Sequence, residues 1–241
     1  MPFSVEIITS LMHWRSQDVW AELRANHMSF LADTAECGFK NGTCRVGDIE
    51  GKIGTSLDSH FGLHIAGGEI HYGHVTNFDH SLIWVDGLVS DVQDADSWVR
   101  PFLAPNGFVQ AWLYDRDYGL WQNAEELSVY EAHGRNYAGL PMRSNGLPPP
   151  LEDMVIDTSG NPGRRRLREG YVEAVGAVMW IGSGLLDKLN LKADDLLSQD
   201  WLRATEESDS VVRVQVSNLP FTSAEGTQAD LQMALRSLLF G

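Results

Sequence analysis

The sequence predicts an α+β fold with a largely antiparallel sheet and packed helices. Short alternating apolar and polar runs are joined by hairpin-type turns, apolar stripes at helical spacing lie between them, and no regular strand–helix–strand alternation is present. With 241 residues, the chain can bury a substantial core. It reads as a single domain, 1–241, in which Pro141, Gly146 and Pro148-Pro149-Pro150 mark a connection near 141–150 where two lobes would join.

The elements follow in order. Phe3, Val5 and Ile7 alternate with polar neighbours and predict a strand over 1–10. Ser16 is placed to cap a helix, with Asp18 in its first turn. Val19, Trp20, Leu23, His27, Phe30 and Leu31 share one face, and Gly38 stops it. Gly42, Gly47 and Gly51 make the next stretch a loop or ragged strand.

Residues 59–75 form two alternating runs about Gly67-Gly68, which predicts a tight hairpin. That register sets Ile65 against Ile70, His64 against His71, Leu63 against Tyr72 and Phe61 against His74, with Glu69 diagonal to His64. Residues 81–85 read as a strand and 91–102 as a helix. A second hairpin is expected from strand 108–114, turn residues Asp115 to Gly119, and Leu120-Trp121.

Beyond the prolines come strands at 154–156, 171–181 and 211–217. Thr222 and Glu225 form an expected capping box for a closing helix with Leu231, Ala234, Leu235 and Leu238 on one face.

Composition excludes some functions. The 18 Lys+Arg against 33 Asp+Glu leave a net charge of −15, which argues against direct nucleic-acid binding, because phosphate affinity comes mainly from cations. No apolar run approaches the roughly 20 residues of a membrane span. The first residues lack a secretory pattern, and Cys37 and Cys44 read as reduced thiols, so a cytoplasmic location is expected.

Motifs of catalysis are sparse. No G-x-S-x-G elbow occurs, and Gly182-Ser-Gly184 lacks the rest of a phosphate loop. Glu50-Gly-Lys52 would resemble a nuclease triplet only on a strand with a partner aspartate. Arg164-Arg-Arg-Leu-Arg168 reads as a turn or an internal ion-pair donor. Five of the eight histidines lie between His60 and His80, and His64, His71 and Glu69 are the candidate metal ligands of an alternative reading, a metal-dependent enzyme. No other cofactor is expected.

The leading signal is where the acids sit. No Lys or Arg lies between Lys52 and Arg100, while Asp58, Glu69, Asp79, Asp86, Asp91, Asp94 and Asp96 contribute seven negative charges. Tyr114, Asp115, Asp117 and Tyr118 repeat the acidic-aromatic mixture. Carboxylates beside aromatic anchors suit steered binding of a basic protein. Asp86, Asp91, Asp94, Asp96, Trp98, Tyr114, Asp115, Asp117 and Tyr118 are therefore the candidate partner-binding residues.

The opening strand, His13-Trp14 and a helix from Ser16 to Glu36, together with a 171–180 strand ending in Gly182-Ser-Gly-Leu-Leu, give the chain its resemblance to a family. With its size and acidity, it resembles immunity proteins of bacterial polymorphic-toxin and type VI secretion systems, most closely immunity protein family 52. The Arg164 cluster and Pro148 to Pro150 have no counterpart in that resemblance. It implies a non-enzymatic cytoplasmic protein, half of an effector–immunity pair, that neutralises a cognate toxin with a basic, commonly nuclease, domain. An adaptor for a secreted effector would use the same kind of surface.

Overall fold

Strand β1 (Phe3–Ser10) is buried along nearly its whole length because it runs through the middle of the sheet rather than along an edge. The computed structural model describes residues 3–27, 32, 35–39, 42–55, 59–65, 67–103, 107–208 and 210–241. After β1 come α1 (Ser16–Asn26), β2 (Glu36–Phe39), β3 (Gly42–Arg45), β4 (Phe61–Ile65), β5 (Gly68–Val75), β6 (His80–Val89), α2 (Val92–Leu103) and β7 (Phe108–Tyr114). The second half contains α3 (Arg116–Asn123), α4 (Leu127–Ala132), β8 (Met142–Ser144), β9 (Met154–Ile156), β10 (Arg166–Arg168) and β11 (Tyr171–Glu173). It closes with β12 (Val178–Gly182), α5 (Ser183–Lys188), α6 (Ala193–Leu197), β13 (Arg203–Ser208), β14 (Val211–Gln215) and α7 (Gly226–Phe240).

The main sheet has ten strands in the order β13-β14-β12-β7-β1-β6-β5-β4-β2-β3, and its neighbouring strands pair antiparallel. The fold is thus α+β with an antiparallel sheet, as the alternating runs predicted. Alternation along β1 sends Val5 and Ile7 to one face, with Trp20 and Leu23 of α1 and Trp98 and Phe102 of α2. Ile8 goes to the other face, with Trp112, Leu185, Leu235 and Leu239. Among the described residues no helix is long and apolar enough to cross a membrane.

Several expected elements are corrected. Helix α1 ends at Asn26, so Glu36 and Gly38 belong to β2 and Gly38 stops nothing. Phe30, Leu31 and Asp58 lie outside the described residues. Ser16 opens the helix without capping it, because its hydroxyl donates to the Ser59 carbonyl at 2.7 Å. The β4–β5 register is offset by two residues: Phe61 faces Tyr72, Leu63 faces Ile70 and Ile65 faces Gly68. Gly67, at φ +87°, belongs to the turn, whereas Gly68 is in the strand, where a Cβ would stand 2.4 Å from the Asp86 carbonyl. An even offset leaves both faces unchanged, so the apolar face was read correctly and the cross-strand partners were not.

The second hairpin is absent. Asp115 Oδ1 accepts the Tyr118 N–H at 2.8 Å and thereby starts α3, where a turn was expected. Residues 141–150 belong to an exposed excursion closed by the β8–β9 pairing, and strands on either side of it, β7 and β12, pair directly in the main sheet. The 171–181 run splits into β11, paired with β10, and β12. Gly176 lies between them, where a Cβ would approach the Leu113 carbonyl to 2.7 Å.

Glu50 and Lys52 sit in a turn, not on a strand. The Thr222–Glu225 capping box does not form; Gln228 Oε1 instead accepts the Thr222 and Ser223 N–H groups. Ala234 of α7 is exposed, and the buried stripe runs through Gln232, Leu235, Arg236 and Leu239. Cys37 and Cys44 face each other across β2 and β3 as free thiols with sulfurs 3.6 Å apart.

Candidate functional site

The structure separates the predicted partner-binding residues into three groups. Asp86 is fully buried in β6, with Ser4 Oγ donating to one oxygen and Arg116 2.8 Å from the other, so it offers no surface. On α2, Asp91 Oδ1 accepts the Asp94 N–H, Asp94 accepts from the Ser90 N–H and hydroxyl, and Asp96 pairs with Arg213 at 2.8 Å. Trp98 is wholly buried and stacks on His27 with ring centroids 3.4 Å apart. Tyr114, Asp115, Asp117 and Tyr118 remain together around the start of α3.

Of that third group Tyr114 lines a groove of about 750 Å³ between the sheet and α3–α4, whereas Asp115, Asp117 and Tyr118 are not part of its lining. Its floor is the Trp84 and Tyr114 rings, joined by a 2.6 Å hydrogen bond from the indole N–H to the phenol oxygen. Burial pushes the Tyr114 phenol well above its ordinary range, with the Glu6 carboxylate adding to the rise, so it stays protonated. Arg165, which also lines the groove, holds the Tyr114 ring: its guanidinium donates to Glu6 and lies 4.4 Å from the ring centre. Leu120 and Val129 supply apolar walls, and the polar lining carries both signs, Glu125 and Glu126 against Arg116 and Arg165. The Arg165–Glu6 pair is the internal ion-pair use expected of the Arg164–Arg168 cluster, which Arg168 repeats with Glu173.

The β8–β9 excursion is anchored on Glu125 of that lining. Glu125 takes the Arg143 guanidinium at 2.7 Å and the Thr158 hydroxyl at 3.0 Å, and its carbonyl accepts the Ile156 N–H. Inward, Ile156 packs with Ala124 and Tyr130. Outward, the excursion exposes Leu147 and Leu151. Sequence reasoning missed both the groove and this arm. The available signal was the unusual presence of Leu147, Leu151 and Met154 in a stretch otherwise rich in turn residues.

Next to the groove, the same sheet face continues over β6, β5 and β4. Trp84 faces His71 across the strands and their rings stack 5.2 Å apart. Gly62 stands opposite His71, where a Cβ would meet the imidazole at 2.7 Å, so glycine is what lets the ring lie there. His64 pairs with Glu69, not with His71 as expected. Glu69 accepts from His71 at 2.9 Å and lies 3.4 Å from His64. The His71 hydrogen bond holds the Glu69 carboxyl below its usual range. With its two oxygens each turned to one histidine, Glu69 completes a polar patch. Among the described residues no group of three or more His, Cys, Asp or Glu is arranged to hold a metal ion.

Aromatic faces, charged groups beside them and a displayed apolar arm are the components of recognition. No family model matches the chain, and no curated protein sequence does. In structure it is similar to the Pseudomonas aeruginosa T6SS protein PA0821, with a TM-score of 0.54 at 9% identity over 99% of this chain and 73% of that one. The likeness is one of fold.

Proposed function

We propose that this chain is an immunity protein that binds and neutralises a cognate type VI secretion toxin and performs no catalysis itself. The observation that carries this reading is the groove between the sheet and α3–α4, in which the Trp84 and Tyr114 rings lie among side chains of both charges, Glu125 and Glu126 with Arg116 and Arg165. Rings buried at a contact centre supply most of the affinity of a protein complex, and rim charges set the rate of encounter. A net charge of −15 favours a basic partner, and a nuclease domain suits because a phosphate-binding site is cation-rich. The shared fold with a T6SS protein supports the secretion context.

The test is purification of the chain with the protein encoded by the adjacent upstream gene, followed by calorimetry and the partner's own toxicity assay. A tight complex that abolishes toxicity is expected. Replacing the exposed Asp117 and Glu126 by lysine should lower the association rate about tenfold and flatten its salt dependence. Failure to bind overturns the proposal. A tight complex in which the partner stays active assigns the chain to the adaptor class instead.

A further inference from the structure

We infer that the β8–β9 arm inserts its apolar tip, Leu147 and Leu151, into a hydrophobic cleft, rimmed by lysine or arginine, on the protein partner. The inference rests on the binding function proposed above and names which part of this chain enters which kind of surface.

Five of the eleven large apolar side chains exposed among the described residues lie within residues 140–154. Leu140, Met142, Leu147, Leu151 and Met154 keep 39%, 41%, 51%, 63% and 51% of their surface accessible. Scattered exposed leucines are ordinary, whereas this concentration on one excursion marks an interaction site. At the base of the arm Val155 and Ile156 are buried, which anchors it, and Leu147 and Leu151 stand out between its two strands at the tip.

The arm is also held in shape before any partner arrives. The Asn145 N–H donates to the Asp153 carbonyl and its side-chain amide to the Leu151 carbonyl. The Leu147 N–H returns to Asn145 Oδ1, and the Leu151 N–H donates to the Pro148 carbonyl. Three consecutive prolines further restrict the tip. Ordering a loop on binding opposes association, and here little ordering is left to do.

Charge selects the occupant. Glu152 and Asp153 stand exposed between Leu151 and Met154, and the cation of the arm, Arg143, is engaged by Glu125. An apolar surface flanked by exposed carboxylates that no cation of the arm neutralises is repelled by an anionic lipid surface and by a second copy of itself. A protein cleft with an apolar floor and a cationic rim complements both features.

The experiment uses the full chain and the purified protein encoded by the adjacent gene. In Leu147→Asp/Leu151→Asp, Kd should rise about 100-fold or more while the unfolding midpoint stays unchanged, since both positions are exposed. Hydrogen exchange on the wild-type complex should show new protection over 143–156, a readout independent of any variant. Wild-type binding that survives the double substitution within threefold, with no protection of the arm, overturns the inference and leaves the binding function standing. Self-association of the chain that the substitutions abolish assigns the arm to a second copy and overturns it too. If wild-type protein forms no complex, the binding function and the arm fall together.

Discussion

Helix α2 and the start of α3 carry the same chemistry in sequence, aspartates beside aromatic rings, and the fold treats their rings in opposite ways. At α2 the ring is taken inside and the acids are engaged within the chain: Trp98 is buried on His27, Asp96 holds Arg213, and Asp91 and Asp94 cap the helix start, with Asp91 and Asp96 lining a groove that Arg100, Arg203 and Arg213 share. At α3, Tyr114 floors an open groove, Asp117 is exposed with a single indole N–H from Trp121, and Glu126 is exposed beyond it. The acids of both stretches are thus engaged within the chain, and what separates the two is the ring, which is sealed in the core at Trp98 and left lining an open groove at Tyr114.

The largest effect that would break this comparison is on stability. Trp98→Ala removes a fully buried ring and leaves a cavity, so it should cost about 3–5 kcal/mol by urea unfolding. Asp117→Asn at the exposed site should stay within about 0.5 kcal/mol. If Trp98→Ala unfolds like wild type, α2 is not the structural half of the pair.

A pH experiment probes the same stack. Burial pulls the His27 pKa down to about 4, against smaller upward pulls from the Asp94 charge and a hydrogen bond to the Ser97 carbonyl. That carbonyl is the one Pro101, lacking an N–H, leaves free four residues earlier in α2. In the unfolded chain His27 titrates near its ordinary value of roughly 6.5, so between there and pH 4 the unfolded state binds the extra proton. The neutral, stacked imidazole therefore contributes fully above that window, and its contribution falls as pH drops through it, by about 2 kcal/mol. His27→Phe should flatten this slope in denaturant midpoints measured from pH 7 to pH 4.5. An unchanged slope would mean that the ring is not the titrating group.

How much of this was legible depended on whether a signal was local. Alternation fixed the two faces of β4 and β5, and it did so even though the register was wrong, because a shift of two residues preserves sidedness. The register itself turned on which of two adjacent glycines bends the chain, and the Asp86 carbonyl packed against Gly68 decides that from the neighbouring strand. Likewise Asp115-x-x-Tyr118 reads equally as a turn or a helix cap until β7 is seen pairing with β1 and β12. The groove was invisible for a related reason. Trp84 and Tyr114 lie 30 positions apart and meet only through the pairing of β6 and β7 with β1 between them.

The smallest effect is also the cleanest discriminator. Asp91 and Asp115 hold equivalent posts, each accepting a backbone N–H three residues on at 2.8 Å, one on α2 and one on α3. Either aspartate changed to alanine should cost about 1 kcal/mol, because an orphan donor at a helix start loses its acceptor. Asparagine keeps that acceptor oxygen and removes only the charge, so both Asn variants should keep nearly wild-type stability. Any binding difference between them then reports electrostatics alone. Asp115→Asn, beside the groove, should slow association with a basic partner about twofold to threefold, and Asp91→Asn on α2 should leave it unchanged. The reverse pattern in stopped-flow association rates would place the proposed partner contact at α2 and end the division between the two regions.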